Sequence, residues 1–134
     1  MAIWLGLNPD GAAAGTTWYP LEFSNVGFRT HTCWIAGAPH VWAVNSSNAQ
    51  IGPRASRAGR ATRITLRPGQ TAHALLGIVQ SGFIAGCAST TGAGLEVTLP
   101  GQNASQPIES FTFPACTNKV FMHAEAVRAG VGIP

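Results

Sequence analysis

Residues 11–33, GAAAGTTWYPLEFSNVGFRTHTC, decide the fold. Across 17–26 the side chains alternate with a period of two. Tyr19, Leu21 and Phe23 fall on one face, and Trp18, Glu22 and Ser24 on the other. That alternation marks a strand with one buried face. A Gly/Ala-rich loop leads into it, and a turn beyond it opens a second strand over 30–35 that carries Cys33. Upstream, 2–7 reads as a short strand with Ile3, Leu5 and Leu7 aligned. It closes at Asn8-Pro9-Asp10-Gly11, where Asn and Asp bond their own backbone and Gly supplies positive φ.

Downstream the same pattern recurs. A strand over 40–44 follows the break at Gly37-Ala38-Pro39, and a polar, Arg-rich loop runs over 45–61. A strand at 62–66 turns at Arg67-Pro68-Gly69-Gln70, and 71–79 is expected to pair back as the second arm of that hairpin. A small-residue loop over 80–93 holds Cys87. Strands follow at 94–99, with Leu95, Val97 and Leu99 aligned, then at 108–113 and 119–127. This makes about seven to nine short antiparallel strands and no helical stripe. The expectation is an all-β fold, one domain over 1–134, built as a sandwich or a barrel; in a sandwich two stacked sheets give each strand one buried face, which matches the alternation.

A chain of 134 residues can bury one core unaided. With 46% apolar and 10% charged residues it is too apolar for disorder and charge-poor for a free cytosolic protein. Such a surface suits neighbours, a wall or a crowded assembly. An ordinary β domain with Ser, Thr and Gly outside fits equally well. The net charge of +3 comes from seven Arg and one Lys against one Asp and four Glu. No apolar run approaches the ~20 residues that span a bilayer, so no transmembrane segment is expected. Met1 leads into AIWLGLN with neither a basic leader nor a small-residue cleavage site, so no export signal is read in this stretch.

Enzyme signatures are absent: there is no Gly-x-Ser-x-Gly, His-Glu-x-x-His, P-loop or dinucleotide fingerprint. Glu22, Glu96 and Glu125 fall on strands, where a solvated face is the default. His31 and Cys33 share one strand face, but two ligands do not make a metal site. No cofactor or metal is expected. Arg54, Arg57, Arg60, Arg63 and Arg67 gather five of the eight cations between positions 54 and 67. Arginine forks suit phosphate and carboxylate, yet aromatics to stack bases are not interleaved, which argues against nucleic acid. Alternation puts Trp4, Trp18 and Trp34 opposite the core faces of their strands, and with Trp42 they make a candidate interaction surface. Three cysteines are an odd number. Two should pair in an exported protein, whereas in the cytosol all three would be reduced thiols.

The chain resembles a family of exported actinobacterial domains, many of them lipoproteins, known only as a domain of unknown function. The resemblance is carried by GAAAGTTWYPLEFSNVGFRTHTC (11–33), GAPHVWAV (37–44), QIGPRASR (50–57), ITLRPGQTAHALLGIV (64–79), Cys87, GLEVTLPGQ (94–102) and ACT (115–117). It implies an immunoglobulin-like β-sandwich, an extracytoplasmic location, a Cys87–Cys116 disulfide, and an unpaired Cys33 whose partner in relatives lies upstream of the first strand. It carries over no active-site residues. The expected function is a non-catalytic binding or adhesion module that engages a protein or cell-envelope component. The alternative is a self-assembling structural subunit, of a surface filament or virion, whose partner is a second copy of itself.

Overall fold

The computed structural model describes residues 2–6, 12–13, 15–26, 31–102 and 104–132. In chain order the strands are β1 (Ala2–Leu5), β2 (Ala12–Ala13), β3 (Thr16–Ser24), β4 (Cys33–Ile35), β5 (His40–Val44), β6 (Gln50–Ile51), β7 (Ser56–Ala58) and β8 (Ile64–Leu66). They continue with β9 (Thr71–Val79), β10 (Ser89–Gly92), β11 (Gly94–Thr98), β12 (Ser105–Ile108), β13 (Phe113–Cys116), β14 (Met122–Glu125) and β15 (Arg128–Ala129). A single 3₁₀ turn, Ser81–Phe83, interrupts the strands among the described residues. The fold is all-β, as the alternation predicts. The turn at Asn8-Pro9-Asp10-Gly11 lies outside the described residues.

The larger sheet runs β1-β3-β9-β14-β7, with β2 added to β3 and β15 to β9. Its spine is the pairing of β3 with β9, in register from Thr16↔Val79 to Ser24↔Thr71. The facing sheet runs β12-β11-β5-β6, and two-stranded ribbons β4-β8 and β10-β13 complete the fold. One continuous core joins the sheets. Leu21, Phe23, Ala72, Ala74, Leu76, Met122 and Ala124 come from the first, and Val41, Ala43, Leu95 and Val97 from the second. All of these are at most 1% exposed, so the period-two reading of the opening stretch selects its core residues correctly. The rings of Tyr19, Phe111 and Phe113 extend the core in edge-on and stacked contacts at 5.2 and 5.1 Å.

Several sequence expectations need correction. Ile64–Leu66 and Thr71–Val79 are not two arms of one hairpin, because β8 pairs with β4 while β9 pairs with β3. The 67–70 turn forms as expected, with Gln70 N–H donating to Arg67 O at 3.0 Å, but it carries the chain from one sheet to another. Asn25 explains the crossing. Its side-chain amide donates to the carbonyls of Leu66 and His31 at 3.0 and 2.8 Å, tying the end of β8 to the segment after β3. The loop expected over 45–61 contains β6 and β7, and β7 pairs in parallel with β14, so the strands are not uniformly antiparallel. The loop expected over 80–93 contains β10, and the strand expected over 108–113 is replaced by β12 and β13 on either side of it.

Candidate functional site

The outer surface is where sequence and structure part most usefully. Trp34 on β4 and Trp42 on β5 both leave their strands away from the core, because Ile35 and Val41 take the inward positions. Each indole carries an arginine. The Arg54 guanidinium lies 4.3 Å from the Trp42 ring centre, and that of Arg63 lies 4.1 Å from Trp34. A planar guanidinium on an indole face keeps its edge N–H donors free to meet a carboxylate or phosphate. Stacking on the ring holds the cation out from the sheet without neutralising it.

Arg57 has a different role. Its Nε and Nη2 donate to Ala38 O at 3.0 and 2.7 Å, locking the Gly37-Ala38-Pro39 bend that separates the two tryptophan strands. His40, next to that bend, is held below the ordinary histidine pKa of 6.5, first by burial and then by the positive charges of Arg57 and Arg54. Arg60 is exposed beside a cleft of about 530 Å³ that Arg128 also lines. Arg67 is exposed on its turn, and its backbone N–H is bound by Gln70 Oε1. The arginine cluster is therefore not one patch. Arg54 and Arg63 are mounted on rings, Arg57 serves the backbone, and Arg60 and Arg67 stand at separate places.

The other two tryptophans lie on the outer face of the larger sheet. Trp4 is 44% exposed and sits opposite Glu22 in the register of β1 with β3. Trp18 was expected outside as well, but it is half-buried, pressed against Gly77 directly across from it. A methyl group at position 77 would lie 2.8 Å from the ring, so the absence of a side chain there makes the seat. Glu22 also departs from the expected solvated face: it is 2% exposed. Gly132 N–H donates to its two oxygens at 3.0 and 3.1 Å. His73, opposite Glu22, donates to Gly130 O at 2.9 Å, so residues 130–132 lie as a strap across this face.

Cys87 and Cys116 are joined by a disulfide with a Cα–Cα separation of 5.4 Å, and Cys33 is a free, half-buried thiol. His31 is exposed, and no group of three or more His, Cys, Asp or Glu side chains able to hold a metal ion occurs among the described residues. Two features had no signal in the sequence. One is a hydrogen bond between Ser56 Oγ and His123 Nδ1, formed because the parallel β7–β14 register sets the two residues side by side. The other is Glu96, expected in solvent but only 9% exposed, whose Oε2 is buried without a hydrogen-bond partner among the described residues. Strand pairing across distant segments creates both, and a period-two pattern does not encode it.

The fold and this face together define a small β-sandwich, pinned by a disulfide, with cations mounted on aromatic rings. Residues 4–128 match the family described as a domain of unknown function (DUF4232), and the chain belongs to it. Neither the curated proteins nor the solved structures contain a match to this chain.

Proposed function

We propose that this chain is a non-catalytic, extracytoplasmic binding module whose ring-mounted arginines engage an anionic component of the cell envelope. The observation that carries the reading is the pair of guanidinium–indole stacks, Arg54 on Trp42 and Arg63 on Trp34. Two independent cations whose donor edges no described residue takes suit a repeating array of phosphates or carboxylates better than a single small anion. The Cys87–Cys116 disulfide and the resemblance to exported actinobacterial domains support the location outside the cytoplasm. No helix among the described residues is long and apolar enough to cross a membrane.

Titration with polyphosphate and with polygalacturonate at several salt concentrations tests the proposal, and the two polymers separate phosphate from carboxylate preference. Affinity should fall steeply with salt, and R54Q or R63Q should each lower the slope of log K against log salt by about one. A flat salt response, or variants that bind like the parent, would remove the reading.

A second reading, a self-assembling structural subunit, is favoured by the apolar groups left outside. Trp34 is 56%, Phe83 67% and Val131 65% exposed. Light scattering across a dilution series separates the two: a monomer at every concentration leaves the binding module, and a defined oligomer favours assembly.

A further inference from the structure

We propose that the outer face of the β12-β11-β5-β6 sheet holds a second, separate site, for an organic cation: a primary ammonium on a short apolar chain, of the lysine side-chain kind, bound by Glu96 and Glu109. Leu95 and Val97 point into the core, so Glu96 leaves β11 on the opposite face. Its pairing partners there are Trp42 on one side and Pro107 on the other. Gly94, two residues earlier on the same face, has no side chain, and a cleft of about 570 Å³ opens at that end of the sheet. Val44, Asn45, Asn48, Glu96, Pro107 and Glu109 contribute to its walls. The volume is of the size that takes small ligands.

The chemistry of the walls selects the ligand. Glu96 Oε2 is buried with no donor among the described residues, and a buried carboxylate oxygen left in that state is costly. The nearby cation does not supply the donor: Arg54 lies on the Trp42 ring and forms no ion pair with Glu96 among the described residues. Glu109 adds a second negative charge, and neither lysine nor arginine lines the cleft. The donor set is too thin for a metal ion. It holds two carboxylates, short of the three or more His, Cys, Asp or Glu side chains that would gather round a metal ion, a grouping found nowhere among the described residues, and Asn45 Oδ1 already accepts the N–H groups of Ser47 and Ala49 at 2.9 and 3.0 Å. An ammonium brings three donors for the two carboxylates, while its methylenes lie along Val44 and Pro107.

The test is an NMR titration of the isotope-labelled chain with n-butylammonium chloride, using n-butanol and calcium chloride as comparators. Saturable shifts centred on Gly94, Glu96, Glu109 and Ser110 are expected with butylammonium and not with butanol. Glu96→Gln should weaken binding about tenfold, the loss of one charge-assisted hydrogen bond. Glu109→Gln, at an exposed position where surface substitutions change stability little, should weaken it as well and carries the test if E96Q does not fold. The proposal is overturned by the absence of saturable shifts, by an equal response to butanol, by tighter binding of calcium, or by variants with unchanged affinity. Polyanion binding by Arg54 and Arg63 reads out separately, so either site can fail without the other.

Discussion

Glu22 and Glu96 occupy the same kind of position in the sequence, a carboxylate between core residues on a strand, and meet opposite fates. Glu22 is buried under the 130–132 strap and accepts a backbone N–H at both oxygens. Glu96 is buried with one oxygen unpartnered. Glu22→Ala should therefore cost about 1–3 kcal/mol in urea unfolding, the range for a buried hydrogen-bonded partner that is removed. Glu96→Val should have the opposite sign and stabilise the chain by about 1–2 kcal/mol, since the desolvated carboxylate goes and a strand-favouring side chain replaces it. The alternation in the sequence assigned both residues to the non-core face correctly. What it could not show for Glu22 is that its face is covered, because the strap comes from more than a hundred positions downstream and leaves no periodic trace. His40 adds a pH dependence. Its folded-state pKa lies below 6.5, so as pH falls through that region the unfolded chain takes up the proton first and stability drops. His40→Gln should flatten that part of a stability-versus-pH curve.

Turn chemistry and strand pairing are separate matters, as the 67–70 segment shows. Pro68 and Gly69 specify the turn itself, with Gly69 at φ +85°. A methyl group there would meet nothing within 4 Å, so Gly69→Ala isolates the backbone cost, about 1 kcal/mol by thermal unfolding. The same residues do not say where the strand on each side finds its partner. That choice rests on Asn25, whose amide holds Leu66 O and whose backbone bonds Gln70 and Gly69 at 3.0 and 2.7 Å. Short elements such as β6, β7 and β10 escaped the sequence reading for a related reason. Runs of two to four residues in a polar segment carry too few side chains to display a period, and they become strands only because an existing edge is there to receive them.

Two stacked sheets around one core, the disulfide and the placing of Trp34 and Trp42 away from the core were legible in the sequence or in its resemblance to a family, while the half-buried seat of Trp18 was not. Nor was the mounting of arginines on Trp34 and Trp42. Arg54 lies twelve positions beyond Trp42, and Arg63 twenty-nine beyond Trp34, across turns and short strands whose path the composition does not fix. For the molecule as a whole the Cys87–Cys116 bond is a covalent constraint that spans a sequence separation of 29. In the chain-entropy description its loss costs about 3–4 kcal/mol, so reduction should lower the urea midpoint clearly at unchanged pH. A bond of this kind also turns the chain between its two ends into a covalent ring. Glu96, Glu109 and every residue between them lie inside that ring, so a single peptide-bond cleavage there opens the loop without releasing a fragment. A nicked chain should run as one species on a non-reducing gel and as two after reduction. In a protease-rich setting such a cut would leave both halves of the acidic cleft tethered to the same molecule.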